Sequence, residues 1–224
     1  MQEHGIQLDL RREARIGFDE AIFCAGKSVA QLDAIVAHAL ASGTRRLFTR
    51  LDAAKRDALS PGHRDALAWD PVSMTATLGA PAVAKGAPRV AVVSGGSSDL
   101  PMSREAARAL EYHGEAVLEV PDIGVAGLWR LLERIEEIRC MQVVIVAAGM
   151  EGALPSVIGG LVPGVVVALP TSVGYGVAEG GRAALQSALA SCAPGIVAVN
   201  IDNGYGAACA ALRALRIATP KDGA

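Results

Sequence analysis

Short apolar runs alternate with segments of helical spacing along the second half of the chain. The runs are rich in Val, Ile, Leu and Ala, as is typical of buried strands, and they occupy residues 90–93, 116–120, 143–148, 165–169 and 196–199. Between them, apolar residues such as Leu131, Ile135 and Ile138 recur at the spacing of one helix face. Continuously apolar strands that alternate with helices indicate a parallel sheet covered on both faces. The pattern therefore predicts a three-layer, doubly wound α/β fold.

The N-terminal part of the chain is less regular and predicts a small α/β appendage. Ser28 and Gln31 have the spacing of a capping box at the start of a helix, and Gly43 is placed to end that helix. Residues 8–17 are rich in charged side chains and predict a solvated helix or arm. Residues 60–77 show no pattern that favours one structure.

Proline and glycine at positions 81, 86 and 88 indicate a linker between these two parts. The sequence thus predicts an N-terminal region (residues 1–80), a linker (81–88), a larger second domain (89–217) and a short tail (218–224).

The turns that follow the predicted strands are rich in Gly and polar residues, whereas most turns that precede the strands are plain. In a parallel sheet, ligands bind beyond the carboxyl ends of the strands, where these turns meet. We therefore expect a small-molecule site at that edge. The candidate substrate-binding residues are Ser94, Gly95, Gly96, Ser97, Ser98, Asp99, Asp122, Gly124, Gly149, Met150, Thr171, Ser172, Tyr175, Asn200, Asp202 and Asn203.

The first of these turns, Ser-Gly-Gly-Ser-Ser-Asp-Leu-Pro at residues 94–101, has the features of a phosphate site. Its two glycines allow a ligand to approach the backbone closely. The N–H groups at the start of the following helix attract an anion. The turn matches neither the P-loop nor the Gly-x-Gly-x-x-Gly pattern, so an ordinary connecting turn stays open as the alternative.

Composition excludes several classes of function. The chain has 21 basic and 23 acidic residues, a net charge of −2, which gives no electrostatic reason to expect nucleic acid or an anionic membrane as a partner. No apolar run approaches the roughly 20 residues that span a bilayer. The first residues lack the pattern of a signal peptide, so a cytoplasmic location is expected. The cysteines form no C-x-x-C pair and predict no disulfide framework; they are Cys24, Cys140, Cys192 and Cys209.

Candidate metal ligands are few. The histidines have no i, i+4 pair that would indicate zinc. Magnesium that bridges a pyrophosphate is expected near Asp99, Asp122 or Asp202, and the sequence does not choose among them. Tyr175 and Tyr205 are expected either to stack on a base or ring or to pack within the protein.

Taken together, the five turns resemble those of the LarB family, the pyridinium-3,5-biscarboxylic acid mononucleotide synthases of nickel-pincer cofactor biosynthesis. The stretches that carry the resemblance are residues 94–101, 122–127, 148–155, 170–176 and 200–206, with 8–17, 26–27 and 49–50 in the N-terminal part. Residues 89–216 also resemble, more distantly, the PurE carboxyaminoimidazole ribonucleotide mutases. Trp129 stands where many relatives carry His, which argues against a histidine acid or base at this position.

The resemblance implies a PurE-like, flavodoxin-like fold and a reaction on nicotinic acid adenine dinucleotide. The pyridinium ring is carboxylated at carbon 5 with CO2, and hydrolysis of the phosphoanhydride releases AMP. The dinucleotide is then a substrate, and no organic cofactor is tightly bound. The resemblance also implies a homo-oligomer, an octamer by likeness to PurE, and it places the family's ring-adding cysteine at Cys192.

Two alternatives remain. One is a PurE-type mutase, against which the Glu-Gly of the third turn argues, because PurE enzymes carry a small residue and His there. The other is a non-catalytic nucleotide-binding protein on the same fold.

The implied chemistry requires a nucleophile and a base. A pyridinium ring is electron-poor, and addition of a thiolate at carbon 4 creates an enamine that attacks CO2 from carbon 5. Cysteine suits this step because it is nucleophilic and also a good leaving group. Glu151, on the third turn, is the candidate base that removes the carbon 5 proton; a helix-capping carboxylate is the other interpretation of this residue.

The position of Cys192 raises a geometric question. It precedes the fifth predicted strand, whereas the binding turns follow their strands. It is therefore expected at the opposite edge of the sheet. Either Pro194 and Gly195 carry the chain back, or Cys192 completes the site of a neighbouring subunit.

Overall fold

The computed structural model describes residues 5–80, 82–84 and 86–218, and the chain separates into two compact units, Met1–Val83 and Ala84–Ala224. Each unit is built around its own sheet. The division after Val83 lies within the segment expected to be a linker. Of the predicted tail, residues 219–224 lie outside the described residues, and residue 218 ends the last helix.

The first unit combines a short parallel pair with an antiparallel hairpin. Its elements are α1 (Arg12–Ile16), β1 (Ile22–Phe23), α2 (Val29–Ser42), β2 (Arg46–Thr49), α3 (Ala53–Asp57), α4 (Pro61–Asp65), β3 (Leu67–Asp70) and β4 (Thr75–Leu78). β1 lies parallel to β2, and β4 pairs antiparallel with both β2 and β3, which gives the order β1-β2-β4-β3. α1 has no buried residue, as expected for a solvated helix.

The ends of α2 confirm the predicted capping box. The Ser28 hydroxyl oxygen accepts from the Gln31 N–H at 3.2 Å, and the Gln31 side-chain oxygen accepts from the Ser28 N–H at 3.0 Å. Gly43 ends the helix in the left-handed region, at φ +61°. Residues 60–77, which showed no pattern, form α4 and the β3–β4 hairpin. β4 is buried at every position although it contains two threonines, so its polarity does not alternate with its burial.

The second unit is a regular succession of strands and helices. Its elements are β5 (Val90–Ser94), α5 (Leu100–Tyr112), β6 (Val117–Val120), α6 (Leu128–Arg139), β7 (Val143–Ala148), α7 (Leu154–Gly159), β8 (Val165–Pro170), α8 (Arg182–Leu189), β9 (Val197–Ala198) and α9 (Gly204–Ala218). The strands pair in parallel in the order β6-β5-β7-β8-β9. This order defines a flavodoxin-like sheet, so the predicted doubly wound fold is confirmed. β9 is shorter than the predicted strand at 196–199.

Helices cover both faces of this sheet. On one face, Leu131, Ile135 and Ile138 of α6 join Leu154 and Ile158 of α7 in a core over β5 and β7. On the other face, α5 packs against α9. Because both faces are covered, the central strands β5 and β7 are buried at every position.

The topology creates one natural binding position. The connection from β5 leads to β6 on one side, and the next connection crosses to β7 on the other side. The turns beyond the carboxyl ends of β5 and β7 therefore diverge and leave a crevice between them. Among the described residues, no helix is long and apolar enough to cross a membrane.

Candidate active site

A cavity of about 530 Å³ lies at this crevice. Its walls come from the turns after β5, β6, β7 and β8, with contributions from the first turns of α6 and α7. The residues that line it are Gly95, Gly96, Ser98, Asp99, Asp122, Gly124, Val125, Ala126, Arg130, Ala148, Gly149, Met150, Glu151, Ala153, Leu154, Val173, Gly174 and Tyr175. Many of the predicted binding residues thus share one cavity.

Asp99 connects the first turn to the fourth. Its carboxylate accepts a hydrogen bond from the Gly96 N–H at 2.8 Å and another from the Thr171 hydroxyl at 2.5 Å. The residue is only 5% exposed. Burial raises the pKa of Asp99, although the hydrogen bonds from Thr171 and Gly96 favour its charged form and oppose this shift. Asp99 therefore links the first and fourth turns from an almost fully buried position in the cavity wall.

The first and second turns pack closely against each other. The Ser94 hydroxyl oxygen accepts from the Asp122 N–H at 3.1 Å, which holds Asp122 at φ +57°. A Cβ atom at Gly124 would lie 2.5 Å from the carbonyl oxygen of Gly95. Only glycine fits this approach, because a side chain would push the two turns apart.

The third turn presents its side chains to the cavity. The Met150 N–H donates to the Val173 carbonyl oxygen at 2.7 Å and holds Met150 at φ +52°. The next residue, Glu151, is exposed and lines the cavity. Within the described part of the chain, its carboxylate has no hydrogen bond or ion pair of its own. The Glu151 carboxylate therefore faces the cavity without a partner among the described residues.

Arg130 is a site residue that the sequence did not indicate. It lies in the first turn of α6, and its Nη1 is 2.7 Å from the Asp122 carboxylate. Among the described residues that line the cavity, it is the only basic one, against the three carboxylates of Asp99, Asp122 and Glu151. The sequence contained one signal for it. A basic residue in the first turn of a helix is unfavourable beside the positive end of the helix dipole, so an arginine there could have been marked as a candidate site residue.

The remaining candidates fall into two groups. Ser98 and Tyr175 line the cavity, and Tyr175 is 77% exposed at its mouth. Ser97 is exposed and Thr171 is buried, and neither lines the cavity. Trp129 is exposed beside Arg130 and also lies outside the cavity lining.

The fifth turn forms hydrogen bonds with the fourth turn and with its own backbone, and it does not line the cavity. The Asp202 carboxylate accepts from the Ser172 N–H at 2.7 Å. The Asn203 side-chain oxygen accepts from the Gly206 N–H at 2.8 Å at the start of α9, and that of Asn200 accepts from the Ile201 N–H at 2.9 Å. The structure thus brings four of the five predicted turns together at the cavity.

Cys192 lies at the opposite edge of the sheet. It is exposed, in the turn between α8 and β9. The hydroxyl of its neighbour Ser191 lies 2.7 Å from that of Ser156 on α7, and a Cβ at Gly159, the last residue of α7, would lie 3.0 Å from Ala193. These contacts place the Cys192 turn alongside α7, from Ser156 in its first turn to Gly159 at its end. Cys192 does not line the cavity of its own chain.

The described residues do not build a metal site of their own. They contain no group of three or more His, Cys, Asp or Glu side chains that could hold a metal ion. Each candidate carboxylate already has a partner. Asp99 accepts hydrogen bonds from Gly96 and Thr171, Asp122 forms an ion pair with Arg130, and Asp202 accepts a hydrogen bond from Ser172.

The fold and the cavity define this protein as a flavodoxin-like α/β protein with a cavity at its topological switch point. Two family descriptions match the chain: "LarB/PurE-like N-terminal domain" over residues 3–79 and "AIR carboxylase" over residues 89–222. The chain belongs to the AIR carboxylase family, in its LarB form with a PurE-like domain. This family membership indicates an enzyme of the carboxylase or mutase type.

The chain is also similar to individual proteins. The uncharacterized protein MJ0165 of Methanocaldococcus jannaschii is 34% identical over 219 residues, which are 92% of this chain and 82% of that protein, in agreement with the family membership. Among solved structures, a single-substitution variant of PurE2 from Treponema denticola is similar with a TM-score of 0.49 and 22% identity, over 59% of this chain and 82% of that one.

Proposed function

We propose that this protein carboxylates the pyridinium ring of nicotinic acid adenine dinucleotide at carbon 5 and hydrolyses its phosphoanhydride. The products are pyridinium-3,5-biscarboxylic acid mononucleotide and AMP, in a step of nickel-pincer nucleotide cofactor biosynthesis. The observation that carries the proposal is the charge of the cavity, where three carboxylates face one guanidinium. Such a lining suits a cationic ring that bears an acidic substituent. Membership of the LarB form of the family supports the same substrate.

In this proposal, Cys192 and Glu151 carry out the steps on the pyridinium ring. The Cys192 thiolate adds to carbon 4 of the ring, and carbon 5 of the resulting enamine forms a bond to CO2. Glu151 removes the proton from carbon 5, and loss of the thiolate from carbon 4 restores the aromatic ring. Separately, water attacks the phosphoanhydride and AMP leaves. The overall change consumes one CO2 and one water.

The proposed enzyme is a homo-oligomer in which Cys192 of the partner subunit completes the cavity. Cys192 lies in the turn that precedes β9, on the amino side of that strand, and it does not line the cavity of its own chain. A thiol from a neighbouring chain is therefore the proposed nucleophile. A shared site removes the conflict, and a closed oligomer such as an octamer would provide it.

Magnesium enters this proposal only with the substrate. Mg²⁺ commonly keeps several waters and is held through substrate phosphates and one or two carboxylates. Since the candidate carboxylates already have partners within the chain, we propose that the ion binds to the pyrophosphate of the dinucleotide. No bond change above is assigned to it.

Mass spectrometry of the small molecules tests the proposal. The purified protein is incubated with nicotinic acid adenine dinucleotide, ¹³C-labelled bicarbonate and magnesium. The proposed function predicts AMP and a labelled ring-carboxylated mononucleotide. Turnover of a carboxyaminoimidazole ribonucleotide instead would identify a PurE-type mutase. Tight binding of the dinucleotide without any product would identify a nucleotide-binding protein.

A further inference from the structure

Arg130 stands alone as a cation in an acidic cavity. The lining of the described cavity contains Asp99, Asp122 and Glu151 and no other basic side chain. The nearby Arg134, one turn further along α6, instead pairs with Glu137 on the solvent side and does not line the cavity. The position of Arg130 within the cavity is therefore distinct from the surface charges of the same helix.

The local surroundings of Arg130 do not favour it for stability. It lies in the first turn of α6, where the helix dipole is unfavourable for a cation. Its Nε is buried and has no hydrogen-bond acceptor among the described residues, which is a costly state for an N–H donor. The guanidinium lies over Gly127, where a Cβ would be 2.8 Å from this Nε. Other arginines of the described chain also have an unpartnered buried Nε, so what sets Arg130 apart is its place in the cavity lining.

We infer that Arg130 binds the carboxylate of the substrate's pyridinium ring and so selects nicotinic acid nucleotides over nicotinamide nucleotides. This inference rests on the proposed function. A guanidinium presents paired N–H donors that match a carboxylate. Asp122, at 2.7 Å from Nη1, orients the group and shares its charge.

The ring carboxylate fits this position better than the phosphate does. The pyrophosphate of the dinucleotide carries two negative charges in all, and one cation that already shares its charge with Asp122 balances the single charge of the ring carboxylate more closely. The phosphate has its own candidate position at the first turn, where Gly95, Gly96 and Ser98 line the cavity beside the start of α5. The cationic ring then lies near the two remaining carboxylates, Asp99 and Glu151.

Selection follows from hydrogen-bond chemistry. A nicotinamide offers an NH₂ donor where the nicotinic acid offers an anionic acceptor. Opposite the donors of Arg130, the amide leaves part of the guanidinium unpaired in a partly buried cavity. Sites built on such contacts reject the mismatched analogue strongly. We expect the intact protein to prefer the acid by about tenfold or more.

Calorimetric titration with two mononucleotides tests this role without any turnover. Nicotinic acid mononucleotide and nicotinamide mononucleotide share the same phosphate and differ only in the acid or amide group. In Arg130→Gln, affinity for the acid should fall about tenfold or more while affinity for the amide stays near its original value. Arg130→Lys, which keeps the charge but not the paired donors, should retain part of the preference. Arg134→Gln is the matched control on the same helix and should behave like the unaltered protein.

Each other outcome contradicts the inference in a distinguishable way. An equal loss of affinity for both mononucleotides in Arg130→Gln would show that Arg130 holds the phosphate. An unchanged acid preference in both Arg130 variants, with the fold verified by circular dichroism, would show that Arg130 does not bind the ring carboxylate. If the unaltered protein binds both mononucleotides equally well, this inference fails while the proposed function stands; if it binds neither mononucleotide nor the dinucleotide, the proposed function fails as well.

Discussion

Among single residues, Asp99 shows how burial and hydrogen bonding compete at one carboxyl group. Burial raises its pKa, while donors from Thr171 and Gly96 stabilise the carboxylate. The donor from Thr171 comes from 72 residues away in the chain. The net effect raises the pKa, so ionisation of Asp99 opposes folding.

Asp99→Asn should flatten the dependence of stability on pH in mildly acidic solution. Because the folded-state pKa is raised, the contribution of Asp99 to stability is greatest at low pH. It declines as the pH rises from the unfolded value of about 3.9 to the folded value. Asn does not ionise, so the stability of the variant should rise relative to the unaltered protein across that window. Urea unfolding at intervals from about pH 4 to 7 measures the difference, and parallel pH profiles would contradict it.

Cys192→Ala should abolish ring carboxylation and leave dinucleotide binding largely unchanged. The thiolate is needed to make carbon 5 nucleophilic, and an exposed residue contributes little to folding, within about 0.5 kcal/mol. Cys140→Ala is the matched control, because Cys140 is also exposed and also follows a helix. Product formation is measured by mass spectrometry and binding by calorimetry. Ring-carboxylated product from Cys192→Ala at a near-normal rate would rule out the cysteinyl adduct.

Among the structural elements, close approaches between turns shape the cavity. The turn after β5 contacts the turn after β6 through Gly95 and Gly124. On its other side, it contacts the fourth turn through Asp99 and Thr171. Within the first turn the two adjacent serines differ in position: Ser98 lines the cavity and Ser97 does not.

This difference predicts unequal effects of two alanine substitutions. Ser98→Ala should weaken dinucleotide binding by about 1 kcal/mol, the usual contribution of one hydrogen bond. Ser97→Ala should leave the affinity unchanged, because Ser97 is exposed and lies outside the cavity lining. Calorimetry with the dinucleotide compares the pair. Equal effects, or none from Ser98→Ala, would show that the phosphate does not bind at this turn.

For the molecule as a whole, the two edges of the larger sheet have different roles. The cavity with Glu151 lies at the carboxyl edge, and Cys192 lies beside α7 at the amino edge. The central strands that separate the two edges are buried at every position.

Subunit complementation should therefore restore activity between two inactive variants. Cys192→Ala retains an intact cavity, and Glu151→Gln retains an intact thiol, so mixed oligomers contain some sites with both groups. With random exchange at equal amounts, about one quarter of the sites should be complete. Native mass spectrometry verifies the exchange, and product formation measures the recovery. Verified exchange without recovered activity would show that each site belongs to a single chain.

Local structure and the type of site could be predicted from the residues alone. The capping box at Ser28 and the apolar runs of β5 and β7 depend on neighbours within a few residues, so propensity and periodicity predict them. Polar turns after parallel strands must gather at one edge, which is where the structure has its cavity. Residues 60–77 were not assigned, because both strands there are only four residues long and β4 is buried without alternating polarity.

Which turns share the cavity depends on how the strands are ordered in space. The order β6-β5-β7-β8-β9 places the carboxyl ends of β5 and β7 side by side, and it leaves the turn at Asn200 and Asp202 outside the lining. The bond between Asp99 and Thr171 and the turn of Arg130 into the cavity also depend on this order. These contacts join residues far apart in the chain, and their energies depend on burial and charge that exist only once the sheet has formed.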